Sequence, residues 1–150
     1  MGLALDEARK SFSEGEVPVG AVIVSGDGVV GTGRNRVEKE HDPTAHAEII
    51  AIREATSRLE AWRLSGSTLY VTLEPCTMCM GAIILARIKR VVFACADPKS
   101  GAAGSLYNIA EEERLNHKVI VSSGMRASES SALLKGFFKK LRDAKKMANP

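Results

Sequence analysis

The chain has 150 residues, 45% apolar and 26% charged, which fits one domain with a full core over residues 1–150. No apolar run approaches the roughly 20 residues needed to cross a bilayer, and residues 1–10, with Asp6 and Glu7, lack a signal-peptide core, so a membrane span is excluded and a cytoplasmic protein is expected. A net charge of +3 says little by itself, and three cysteines fit a reducing compartment.

In chain order, Leu3 to Glu14 has helical spacing, with Leu3, Ala4, Ala8 and Phe12 on one face. Glu16 to Val24 reads as a buried strand, Ser25-Gly26-Asp27-Gly28 as a hairpin turn, and Val29 to Asn35 as the returning strand. Asp42-Pro43-Thr44 reads as a second helix start, with Asp42 or Thr44 as a plausible cap and His46 and Glu48 in the first turn, and His46 to Arg58 is a helix. Leu64 to Ser67 is a loop, Thr68 to Leu73 a third strand, Met78 to Ala86 a helix of small apolar residues, and Arg90 to Ala94 a fourth strand. A Gly-rich loop, Pro98 to Leu106, precedes a short fifth strand at Val119 to Ser122. A long amphipathic helix over 127–146 follows, with Leu133, Leu134, Phe137, Phe138 and Leu141 as its apolar set. Strands and helices alternate after the hairpin, which predicts a mixed sheet of five strands with helices on both faces. Trp62 and Tyr70 read as packing residues, and His41 and His117 as surface or packing histidines.

Charge is unevenly spread. Lys135, Lys139, Lys140, Arg142, Lys145 and Lys146 crowd the last helix against Asp143, and Arg87, Lys89 and Arg90 form a second basic group. Such clusters suit a phosphate-rich partner or a solvated helix face.

The most telling pattern is His46-x-Glu48 followed by Pro75-Cys76-x-x-Cys79. One imidazole and two thiolates make a three-ligand set for zinc, with a water as the fourth ligand. Pro75 favours a helix start at Cys76, where amide dipoles support thiolates and both sulfurs can face one point. Glu48, two residues from a ligand, is placed to carry that water's proton rather than to bind the metal. The two halves match the H-x-E…P-C-x-x-C signature of zinc-dependent deaminases. A lone C-x-x-C also suits half a structural zinc site, which Cys95 would close as a fourth ligand, or a redox pair, although no thioredoxin-like context surrounds it.

Beyond that signature, the sequence resembles the bacterial tRNA-specific adenosine deaminases of the cytidine deaminase-like superfamily from about Leu3 to Arg142. The resemblance is carried by Glu16-Val17-Pro18-Val19-Gly20, Asn35-Arg36, Asp42-Pro43-Thr44-Ala45-His46-Ala47-Glu48, Leu69 to Ile83, Arg87 to Phe93, and Gly101-Ala102-Ala103-Gly104-Ser105-Leu106. It implies a three-layer α/β/α fold, one zinc per subunit, a homodimer, and hydrolysis of adenosine to inosine at the wobble position of the tRNA anticodon loop. It also implies that His46, Cys76 and Cys79 bind the metal and Glu48 moves protons. Asn35 and the Ala47 amide would face the base, Asp97 the ribose, and Phe138 would border an RNA groove. Each of the last residues has a plainer reading: Asn35 or Asp97 as a loop cap, Phe138 as core. Cys95 departs from the family's usual small residue beside the base pocket. The rival activity is deamination of a free base or nucleoside, guanine first; a non-catalytic zinc module that binds RNA is the other rival.

Overall fold

The structure is a computed structural model, and it describes residues 1–148; the last two positions of the expected 1–150 domain lie outside the described residues. Five strands form one mixed sheet. They are β1 (Gly20–Ser25), β2 (Gly28–Arg34), β3 (Thr68–Leu73), β4 (Arg90–Cys95) and β5 (Ile120–Ser123), in the order β2-β1-β3-β4-β5. The first two junctions, β2-β1 and β1-β3, are antiparallel, and β3-β4 and β4-β5 are parallel. The helices are α1 (Gly2–Ser13), α2 (Val37–Glu40), α3 (Ala47–Leu59), α4 (Thr77–Leu85) and α5 (Ala127–Ala148), with a 3-10 turn at Ile109–Glu111.

Alternation along the strands separates the two helical layers. Ala21, Ile23, Leu69, Val71, Val91 and Phe93 join Ala47, Ala51, Ala55, Met80 and Ile83 in one buried cluster, so this face carries α3 and α4. The other face carries α1 and α5, which touch each other through Phe12 and Phe137, packed edge to face at 5.7 Å. The three-layer α/β/α expectation therefore holds.

Close helix–sheet approach depends on small residues. A Cβ at Gly33 would collide with the Ala47 carbonyl oxygen, so a bare backbone there lets the first turn of α3 lie against β2. That contact fixes where His46 and Glu48 sit.

Local chemistry shifts several boundaries from the sequence reading. β1 starts at Gly20 rather than Glu16, because Pro18 has no N–H for a ladder and Val19 N–H turns back to the Val17 carbonyl at 2.8 Å. The helix read over His46 to Arg58, with Asp42 or Thr44 as its cap, spans Ala47–Leu59, with His46 itself at the N-cap and no side-chain cap. Asp42 Oδ1 instead accepts Thr44 N–H at 2.8 Å and the Thr44 hydroxyl at 2.7 Å, an Asx turn that competes with helix. The short helix α2 and the 3-10 turn were not anticipated. Of the apolar set on α5, Phe137 is buried, while Phe138 and Leu141 are exposed, because only one narrow face of the helix meets the sheet and α1. Trp62 is exposed too, and Arg63 lies over its ring at 4.6 Å. His117 Nε2 meets the Ile88 carbonyl at 2.7 Å, as a packing histidine should.

Candidate active site

Two helix starts meet at the carboxyl end of β3. His46 is the N-cap of α3 and Cys76 the N-cap of α4, so the N-terminal amides and positive dipole ends of both helices converge on one point. His46 Nδ1 lies 3.6 Å from Cys76 Sγ and 3.5 Å from Cys79 Sγ, and the three ligand atoms fall within 4.8 Å of one another. Tetrahedral zinc with Zn–S near 2.3 Å and Zn–N near 2.0–2.1 Å would put such nitrogen and sulfur atoms about 3.6 Å apart. The side chains thus fit a tetrahedral metal as they stand.

Cys95 is not among them. Its thiol hydrogen-bonds towards the Thr72 carbonyl at 3.5 Å and Ser130 Oγ at 3.4 Å, facing α5. A closed four-protein-ligand site through Cys95 is therefore absent from this arrangement, and Cys95 does not line the cavity beside the cluster.

The sulfurs are electrostatically unequal. The Cys76 thiol is pulled down to about 4, chiefly by the Cys79 side chain that hydrogen-bonds to it and further by His46, while burial opposes. Cys79, the donor of that pair, is pushed up by the same bond and by burial. The His46 imidazole is raised, first by its bond with Cys76. A divalent cation among the three would hold both sulfurs as thiolates.

Glu48 occupies the second position of α3, is 4% exposed, and lines a cavity of about 250 Å³ with His46, Ala47 and Cys76. Burial, the largest cause, holds its carboxyl above the ordinary range; the nearby imidazole opposes this. The cavity falls just under the ~300–1,000 Å³ common for small-ligand sites, which suits one base rather than a larger group. Ala47 sits at the first position of α3, where a backbone N–H has no intrahelical acceptor.

The other predicted site residues divide. Asn35 and Asp97 line this cavity. Asp97 also organises its own loop, its Oδ1 accepting Lys99 N–H at 3.0 Å and Ser100 N–H at 3.3 Å and its Oδ2 the Ser100 hydroxyl at 2.6 Å. Phe138 lies outside the cavity, in an adjoining groove with Lys99, Lys135, Arg142 and Lys145.

Sequence reasoning assigned no role to two buried carboxylates, Glu16 and Glu74. Glu74 precedes the Pro75-Cys76 ligand segment and is 3% exposed. It accepts N–H groups of Asp97 at 3.4 Å, Ala103 at 3.2 Å and Ser105 at 3.2 Å, and the Ser105 hydroxyl at 2.5 Å. It therefore ties the loop bearing Asp97 to the metal-ligand segment. Gly101 is glycine because a Cβ there would overlap the Glu74 carboxylate. The signal available in the sequence was a charged residue at the border of an apolar run, Glu16 just before Val17 to Val24 and Glu74 just after Leu69 to Leu73.

The chain is similar to known deaminases in sequence and in fold. The sequence model of the MafB19-like deaminase family matches residues 1–142. The tRNA-specific adenosine deaminase of Bacillus subtilis (strain 168) is 48% identical over 145 residues, spanning 97% of this chain and 90% of the relative. A solved structure from a study of A-to-I editing by tRNA:A34 deaminases at the wobble position superposes with a TM-score of 0.86 at 46% identity, covering 89% of this chain and 97% of that one. A guanine deaminase from Nitrosomonas europaea is more distant, at 26% identity and a TM-score of 0.76 over 91% of this chain and 81% of that one.

Proposed function

The chain belongs to the family of the tRNA-specific adenosine deaminases, and from that premise we propose that it hydrolyses adenosine to inosine at the wobble position of tRNA, releasing ammonia. The observation that carries this reading is the convergence of His46, Cys76 and Cys79 beside a buried Glu48 in a base-sized cavity. Residues 1–150 then act as one zinc-dependent deaminase domain.

His46, Cys76 and Cys79 would hold one zinc ion per subunit, with water as the remaining ligand. Zinc there supplies a Lewis acid that makes hydroxide available near neutral pH. Glu48 takes a proton from the attacking water and delivers it to N1 of adenine as the new C6–O bond forms. It then passes the second proton to the exocyclic amine, the C6–N bond breaks, and ammonia leaves. The Ala47 N–H and Asn35 orient the base, and Asp97 receives the ribose. Burial suits Glu48 to this work, because a carboxyl raised from its ordinary range gives and takes protons more readily near neutral pH.

Anticodon-loop bases suit such a cavity, since splayed single-stranded bases can leave their stack at a cost of a few kcal/mol. The groove with Phe138, Lys99, Lys135, Arg142 and Lys145 would take the RNA strand beyond the target nucleotide. A homodimer is favoured by large exposed apolar side chains at Leu85, Leu106 and Tyr107, the last touching Thr77 at the start of α4. Among the described residues no helix is long and apolar enough to cross a membrane, and a cytoplasmic location is the one that action on tRNA would require.

Likeness to a guanine deaminase fold favours one rival. Parallel assays on tRNA and on free guanine separate the two: inosine in tRNA and no xanthine supports the proposal, and xanthine without inosine overturns it.

A further inference from the structure

Glu16 is a buried carboxylate that the reaction above leaves unused. It is 1% exposed and lines the cavity, and among the described residues no cation pairs with it. Hydrogen bonds must therefore offset its desolvation. Its Oε1 accepts Lys39 N–H at 2.7 Å, and its Oε2 accepts Glu38 N–H at 3.3 Å and Asn35 Nδ2 at 3.3 Å. Backbone N–H groups can only donate, so the carboxylate is an acceptor on both oxygens, and the amide edge of Asn35 that faces it has to be the NH2.

The rest of Asn35 is equally fixed. Its N–H donates to the Val19 carbonyl at 3.0 Å and its own carbonyl accepts the Ser11 hydroxyl at 2.9 Å. With the backbone pinned and one amide edge held, Oδ1 is left for the cavity, and among the described residues no donor reaches it.

We propose, resting on the deaminase reading, that Glu16 is a positioning residue. It sets the polarity of the Asn35 amide, so that a carbonyl acceptor rather than an NH2 donor faces the nucleoside. The ligand group that meets it is a donor: a base N–H or a ribose hydroxyl. Adenosine in RNA offers both.

Glu16→Gln reverses the arrangement with almost no change in volume. An NH2 takes the place of Oε2, which gives up the bond from Glu38 N–H whatever stands at 35, and the Asn35 amide turns over to accept from it, presenting its own NH2 to the cavity. The test is a cycle of Glu16→Gln, Asn35→Ala and the double variant, with kcat and KM measured separately for inosine formation in a tRNA anticodon stem-loop, beside Tm and zinc content. Glu16→Gln is expected to lower kcat/KM about tenfold to hundredfold, mainly through KM, as a mismatched buried polar group does. In the Asn35→Ala background Glu16→Gln should cost only a small fraction of what it costs alone, the remainder being the lost bond from Glu38 N–H. Combining Glu16→Gln with Asn35→Asp should recover part of the loss, because an aspartate there accepts from the glutamine and still presents an oxygen. A loss from Glu16→Gln that persists in full in the Asn35→Ala background, or full activity in Glu16→Gln, overturns the proposal. Should Glu16→Gln fail to fold, Glu16→Asp, which withdraws the carboxylate by one methylene, enters the same cycle with the same two outcomes. A wild-type protein that makes no inosine overturns the deaminase reading and this proposal with it. An active wild type with independent effects overturns only the role of Glu16.

Discussion

In the proposed reaction the chemistry turns on Glu48, which is buried beside the cluster of His46, Cys76 and Cys79 but is not one of its members. Were it a metal ligand, its removal would cost zinc; as a proton carrier, its removal costs turnover alone. Glu48→Ala is expected to keep one zinc per chain and lose about 10²–10⁴-fold in kcat, checked by single-turnover inosine formation and elemental analysis. Cys79→Ser should instead lower zinc content and Tm together, because the folded chain then loses a ligand it stabilises itself with. His46, Glu48, Cys76 and Cys79 were legible because a metal centre on helix starts needs fixed short spacings, which survive in one dimension. Glu16 and Glu74 were not. Their partners lie roughly 20–30 residues away, Asn35, Glu38 and Lys39 for one and Asp97, Ala103 and Ser105 for the other, and no spacing rule announces such contacts.

At the level of elements, most boundaries were read to within a residue, and the larger misses, the start of β1 and the cap of α3, lie where a local hydrogen bond or a proline overrides the pattern. Thr68–Leu73 matched the structure at both ends, since apolar alternation between turn signals has one good solution. The cap of α3 was misplaced because Asp42, a good cap by type, spends its carboxylate on Thr44 instead. The seat of α3 on β2 is the element-scale contact the site depends on. Gly33→Ala should force α3 outward, cost about 1–3 kcal/mol as overpacking does, and lower Tm by several degrees in a thermal melt. Gly101→Ala is expected to behave differently. Its methyl would displace the Glu74 carboxylate and release the loop bearing Asp97, so KM for tRNA should rise while zinc content stays constant. A Gly101→Ala enzyme with unchanged KM would contradict that assignment.

Across the whole molecule, the proposal gives the chemistry to the cavity and the grip on RNA to the basic groove on α5. Lys135, Arg142 and Lys145 line that groove, while the net charge of +3 gives no hint of it. Their clustering was visible in the sequence; their placement beside the loop at 95–99 was not, because it depends on how α5 packs across β4. Replacing the three by alanine should weaken tRNA binding at low salt and flatten the slope of log affinity against log salt by up to about one per removed contact, measured by titration at several salt concentrations. Activity on a minimal substrate at saturating concentration should change little, since none of the three lines the catalytic cavity. The proposed hydrolysis requires that water replace the amino group of one particular adenosine in tRNA. The most direct measurement is incubation of the zinc-loaded protein with tRNA in oxygen-18 water, followed by mass spectrometry of the anticodon fragment. One oxygen-18 at the wobble nucleotide, now inosine, with release of ammonia, is the expected result; an unaltered wobble adenosine, with the label or the reaction found on free guanine instead, would contradict it.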